Sequence, residues 1–147
     1  MNRSLRLALP LGVLIAFGAC EAAKPAPMAE KTLYDRLGGK GAITAVVDEF
    51  VARVAADGTI NRHFAKTDIP KFKGHLVDQI CQATGGPCKY TGRTMPETHK
   101  GMNITMAEFN ATGGHLAGAL DKFKVPEREK TELLTAIGGM ADQIVGK

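Results

Sequence analysis

The chain has 147 residues, 19 Lys and Arg against 15 Asp and Glu, a formal charge of +4 and 44% apolar residues. That length suits one domain, and so slight a basic excess, with no Lys/Arg stripe interleaved with aromatics, excludes a nucleic-acid-binding role. The apolar run from Leu7 to Phe17 falls well short of the ~20 residues a membrane-spanning helix needs.

That run follows a basic start, Arg3 and Arg6, and precedes Gly18-Ala19-Cys20. Basic, apolar and small residues in this order make a secretory signal. The ending FGAC resembles the bacterial lipoprotein cleavage motif, with Phe17 where leucine is usual. Residues 1–20 are therefore expected to be a signal peptide, with Cys20 as the lipidated first residue of the mature chain. The expected location is exported and periplasmic, anchored to a bacterial membrane only through the N-terminal lipid or signal. Residues 21–31 are rich in Pro and Ala and read as a flexible tether. The globular domain is expected over 32–147, and the loss of Arg3 and Arg6 lowers the charge from +4 to +2.

Within that domain every element reads as a helix. Thr32 to Leu37 is a short amphipathic turn stopped by Gly38-Gly39. Ile43, Val46, Val47, Phe50 and Val54 recur at helical spacing before Asp57-Gly58. Phe64 stands in a short polar stretch, RHFAKTD, and Pro70 suits the first turn of a third helix running to Gly85-Gly86. Thr94-x-x-Glu97 and Thr105-x-x-Glu108 have capping-box spacing. The first opens a short helix around His99. The second opens a longer one carrying Phe109, Leu116, Ala119, Leu120 and Phe123 on one side. Pro126 marks the next start, and Leu133, Ile137, Met140, Ala141 and Ile144 form the last apolar stripe. The fold class is all-α, with a small helical core.

The third helix has an odd face. Phe72, His75, Leu76 and Gln79 share it at i, i+3, i+4 and i+7. Two large apolar groups stand there beside an imidazole and an amide, whose polar atoms need partners if buried. One reading is a partly exposed face with His75 at its rim; the other is a face looking at a cofactor. His99 favours the second. It lies one turn into its own short helix, between Met95 and Met102, whose flexible thioethers suit a flat aromatic ligand as well as an ordinary core. A histidine presented in this way is what a haem iron needs.

Cys81 and Cys88 remain as an even pair once Cys20 is set aside, and in an oxidising compartment they are expected to form a disulfide. A structural staple is the main reading and a redox switch the minor one. A non-haem alternative takes His75, Cys81, Cys88 and His99 as zinc ligands, but their spacings lack the close pairs of structural zinc sites.

Taken in order, TLYDRLGGKGAITAVVDEF, FAKTD, ATGGPCKYTGR, THKGMNIT, HLAGAL and VPEREKTELL resemble the group I truncated haemoglobins, small globins with a two-over-two helical sandwich around haem. The resemblance spans nearly all of residues 32–145. It implies one haem b, with His99 as the proximal ligand of the iron and Phe64 packed on the haem face. It implies further that Phe72, Leu76 and Gln79 line the distal side, with Met95 and Met102 beside His99. Lys73, Lys89, Tyr90 and Arg93 fall at the propionate edge, where cations favour carboxylates. Neither cysteine precedes a histidine as in Cys-x-x-Cys-His, so the haem is expected to be held non-covalently.

Two positions depart from the family. A tyrosine usually follows Phe50 and donates a hydrogen bond to bound oxygen; here the residue is Val51. A glutamine is common where Leu76 stands. A charge-assisted hydrogen bond is worth ~1.5–3 kcal/mol, so oxygen retention is expected to weaken by about tenfold or more unless Gln79 or His75 substitutes. His75 matches a position at which some family members supply a second iron ligand. The expected function is therefore reversible binding of a diatomic gas, oxygen or nitric oxide. The alternative is a bis-histidine haem protein for one-electron transfer or redox sensing, with an unidentified redox partner. Nitric oxide dioxygenation is implied by the resemblance as an enzymatic activity, and the missing donors argue against it.

Overall fold

The computed structural model describes residues 30–147. The expected signal peptide, the lipidation at Cys20 and the tether up to residue 29 lie outside the described residues. The described elements are helices α1 (Leu33–Arg36), α2 (Gly39–Ala56), a 3-10 helix (Asn61–Phe64), α3 (Ile69–Ala83), α4 (Met95–His99), α5 (Met106–Lys122), α6 (Glu127–Gly138) and α7 (Ala141–Ile144). None is long and apolar enough to cross a membrane.

Local chemistry accounts for the boundaries. The Thr32 side chain caps α1, and Gly38, with φ of 95°, turns the chain into α2 through a left-handed conformation that glycine adopts without steric penalty. The α2 stripe is buried as its spacing predicts, and Val51 joins it. Fully burying such a side chain contributes about 1.5–3 kcal/mol. Around α2 pack α3 on one side and α5 on the other, while α6 covers α5. This places the α2–α3 pair over the α5–α6 pair in the two-over-two arrangement. Both capping boxes form, with reciprocal bonds between Thr94 and Glu97 and between Thr105 and Glu108.

Two expectations are corrected. The last apolar stripe is not one helix: α6 ends at Gly138 and α7 begins at Ala141, because Gly138-Gly139 interrupts the helix while the apolar spacing continues across it. Phe123 faces the same side as Leu120 but is not buried there. It caps the end of α5 and is 45% exposed.

The corner between α2 and α3 is tied to α5 by two histidine–carboxylate pairs. His63 Nε2 lies 3.1 Å from Glu108 Oε1, which Arg62 also contacts, and His115 Nε2 lies 2.7 Å from Asp57 Oδ2. The Thr105 backbone N–H first, then the His63 ring, hold the Glu108 carboxyl down at about 2 from an ordinary 4.5. The Thr59 hydroxyl and then His115 lower Asp57 from 3.8 to about 2. Both carboxyls titrate lower folded than unfolded. They therefore stabilise the fold above about pH 4.5 and lose that contribution as pH falls toward about 2. The thermal midpoint should fall across this window, and Glu108→Gln should lower the midpoint at neutral pH while making the acid fall shallower. Equal acid slopes in the two proteins would show that Glu108 does not carry the effect.

Candidate functional site

Helix α3 starts where Asp68 accepts a hydrogen bond from Lys71 N at 3.1 Å, with Pro70 in the first turn where no backbone donor is needed. It has two distinct flanks. Val77, Ile80 and Cys81 are buried in the core, whereas Phe72, His75, Leu76 and Gln79 are only half-buried. The predicted face is thus kept together at the edge of the core, with Phe72 and Leu76 packed against it. Phe64 joins it at one end, its ring centroid 5.3 Å from that of Phe72.

Across from this face stands α4, whose main packing partner is α7 rather than the core. Its final residue, His99, places Nδ1 2.8 Å from the carbonyl oxygen of Met95, one turn earlier. A carbonyl can only accept, so Nδ1 donates the proton and Nε2 is the ring nitrogen left to face a ligand. That is the arrangement a metal-ligating histidine uses when its other nitrogen bonds a backbone carbonyl. Gln79 spans from α3 to the opposite side, with Nε2 3.4 Å from Met95 Sδ and 3.8 Å from Met140 Sδ. Thioethers are weak acceptors, so this amide has only soft partners.

These residues fit a haem. Phe64, Phe72, Leu76, Met95, Met102 and Met140 are large half-buried apolar side chains that suit a flat aromatic ligand, and His99 offers a nitrogen oriented by the bond at its other ring atom. Val51 is 7% exposed and packed in the core, so α2 offers no hydroxyl at this position. At the expected propionate edge, Lys89 and Arg93 are exposed and Tyr90 is half-buried. Burial pushes the Tyr90 phenol up, and its hydroxyl donates to the Arg93 carbonyl at 2.8 Å. Lys73 Nζ lies 2.8 Å from Asp48 Oδ1 on α2.

Cys81 and Cys88 are bonded to each other, with Cα atoms 5.7 Å apart. The bond removes both thiols from the zinc alternative, and no three His, Cys, Asp or Glu side chains converge as a metal site among the described residues. His63 and His115 are held by Glu108 and Asp57. Met140 was legible only as a core residue; its contact with Gln79 joins positions 61 apart in sequence, for which the spacing gives no signal. A separate apolar cavity lies among α2, α5 and α6, lined by Leu37, Ala42, Val46, Leu120, Phe123 and Leu133. At about 180 Å³ it compares with a ~150 Å³ cavity that takes benzene, too small for a porphyrin, and it shares no residue with the α3–α4 face.

The comparisons with known proteins agree with this geometry. A family model described as bacterial-like globin matches residues 32–145. The group 1 truncated hemoglobin GlbN of Mycolicibacterium paratuberculosis is 41% identical over 113 residues, 77% of this chain and 83% of that protein. GlbN of a Nostoc species is 38% identical over 116 residues, covering 79% and 98%. Among solved structures, truncated hemoglobin from Tetrahymena pyriformis in its Fe(III) form superposes with a TM-score of 0.77 at 32% identity, covering 80% of this chain and 100% of that one. The 2/2 hemoglobin from a Synechococcus species, with covalently attached heme, gives 0.69 at 32% identity, covering 74% and 91%. Sequence and fold thus agree over the same residues that build the α3–α4 site, and the chain belongs to the bacterial-like globins as a group 1 truncated haemoglobin.

Proposed function

We propose that the chain binds one b-type haem non-covalently between α3 and α4, with His99 Nε2 as the proximal ligand, and that it binds a diatomic gas reversibly on the His75 side. The observation that carries this reading is the bond from His99 Nδ1 to the Met95 carbonyl, which leaves Nε2 free on a helix standing away from the core. When bound, the haem supplies an iron centre that takes a diatomic ligand or passes one electron.

The chain's own residues orient and enclose it. His99 holds its proton at Nδ1, and the Thr94–Glu97 capping box fixes the short helix that carries it. Phe64 and Phe72 exclude water from one end, and Leu76 closes the distal side with methyl groups instead of an amide. Val51 adds no donor. With neither usual donor present, a bound gas is held more weakly by about tenfold than it would be with one charge-assisted hydrogen bond in place. Gas binding and release therefore fit this pocket better than long oxygen retention.

A second reading is a bis-histidine haem for one-electron transfer. It is favoured by His75, which shares the α3 face with Leu76 and whose ring has no hydrogen-bond partner among the described residues. The visible spectrum of the haem-loaded protein, ferric and dithionite-reduced, separates the two readings when compared with His75→Ala. High-spin bands in both proteins are expected for the gas-binding reading. Low-spin bands that become high-spin in the variant would replace it with the bis-histidine one, and the absence of a Soret band would overturn both.

A further inference from the structure

We propose that Tyr90 is a positioning residue for His75 under the control of the Cys81–Cys88 bridge: with the bridge closed, Tyr90 holds the His75 ring off the iron, and opening the bridge releases it to bind there. The proposal rests on the haem reading above and goes beyond it by naming what sets the state of the sixth coordination position.

The geometry links the three groups in series. The His75 and Tyr90 rings meet edge to face, centroids 6.0 Å apart and planes 73° apart. The His75 ring has no hydrogen bond among the described residues, so this contact is the one directional restraint the structure shows on it. Tyr90 is itself held at both ends, its backbone N–H donating to Gln82 Oε1 at 2.7 Å and its hydroxyl to the Arg93 carbonyl at 2.8 Å. Gly92 closes against the same ring so tightly that a Cβ there would lie 2.3 Å from the phenol oxygen.

What sets the path of this segment is the bridge. Cys88 stands two residues before Tyr90 and is bonded to Cys81 in the last turn of α3, the helix that also carries His75 and Gln82. The bridge therefore fixes the start of the Tyr90 segment to its target helix. Gly86 N donates to the Cys81 carbonyl at 2.8 Å and lies against Tyr34, so the connecting loop is clamped as well.

Opening the bridge is a two-electron step. A dithiol reductant breaks the S–S bond and becomes a cyclic disulfide, and its two protons pass to the Cys81 and Cys88 sulfurs. Cys81 is fully buried and Cys88 only partly so, which directs attack to Cys88 Sγ. Once freed, residues 86–90 keep the Gln82 contact without the covalent tie that holds it in register. An aromatic edge contact of this kind is worth roughly a two- to tenfold bias, which is the size of effect to look for.

The test uses the full haem-loaded ferric protein and reads the ratio of low-spin to high-spin bands. The disulfide-bonded protein should be predominantly high-spin, and Tyr90→Ala, and separately Cys81→Ser with Cys88→Ser, should raise that ratio roughly two- to tenfold over it. Tyr90→Phe keeps the ring, loses only the hydroxyl anchor and should give a smaller rise. Exposing the wild-type protein to a dithiol, removing it, and counting the thiols by alkylation should produce the rise in step with the thiols formed. All four effects should vanish on a His75→Ala background, which a merely structural role for Tyr90 would not require. An unchanged or lowered ratio in Tyr90→Phe and Tyr90→Ala overturns the proposal, as does an oxidised protein that is already fully low-spin. A missing Soret band in the unmodified protein is a different result and defeats the haem reading instead.

Discussion

His99→Gly is expected to speed haem loss from the loaded protein by at least about a hundredfold, and added imidazole is expected to restore both retention and the visible spectrum. Changing even an outer partner of a metal ligand typically costs 10–100-fold in affinity, and here the ligand itself is removed. The apolar walls remain in the variant, so haem still partitions into the cleft, but no nitrogen is fixed on the α4 side. Free imidazole can occupy the space left by the ring, although it lacks the Met95 carbonyl bond in a pre-set orientation, so rescue should be incomplete at low concentration. His75→Ala serves as the internal control: it removes an imidazole from the other wall and should leave haem retention within a few-fold. Equal retention in wild type and His99→Gly would remove His99 from the iron and with it the orientation assigned to the whole cleft.

What the sequence made legible was mostly what neighbouring residues decide among themselves. The two capping boxes, the Pro70 start of α3 and the α2 stripe are local patterns, and each formed as read. The bond from His99 Nδ1 is local too, since the accepting carbonyl belongs to Met95, a single helical turn away. The misreadings arose where local spacing was silent about chain direction or distant partners. Apolar residues continue in register from Leu133 to Ile144, so nothing but the glycine pair marked the break between α6 and α7. Phe123 carried the right periodicity but sits where α5 ends, at the rim of the apolar cavity, and is only partly covered there. Partners far apart in sequence were equally hidden: the Lys73 ammonium meets Asp48, on a helix adjacent only once the chain has folded. The same holds for His63 with Glu108 and His115 with Asp57, separated by 45 and 58 residues. In each case the residue type was visible and the partner was not.

Gly86→Ala should lower stability by about 3 kcal/mol, near the upper end of what overpacking a filled site costs, or roughly 10 °C in thermal midpoint for a domain of this size. The glycine is not required by its backbone, which lies outside the left-handed region occupied by Gly85 at φ of 83°. It is required by space. A Cβ at position 86 would lie 2.5 Å from Tyr34 Cδ2 and 2.7 Å from Cys81 Sγ, and neither neighbour is free to yield. The sulfur is tied into the bridge with Cys88. The tyrosine is fixed at both ends: its N–H donates to the Thr84 carbonyl at 2.9 Å, and its hydroxyl accepts from Lys40 N at 3.0 Å. The methyl group must therefore displace the loop, and the loop leads to Tyr90. Gly114→Ala supplies the contrast. A Cβ there meets nothing within 4 Å in the middle of α5, so the gain in helix propensity should raise stability by about 0.8–1.0 kcal/mol. Opposite signs for one methyl group at two glycines would locate the constraint at the junction of α1, α3 and the disulfide. Equal, small effects would mean that the loop after α3 adapts freely, and that the bridge does not hold the segment carrying Tyr90 in a fixed place.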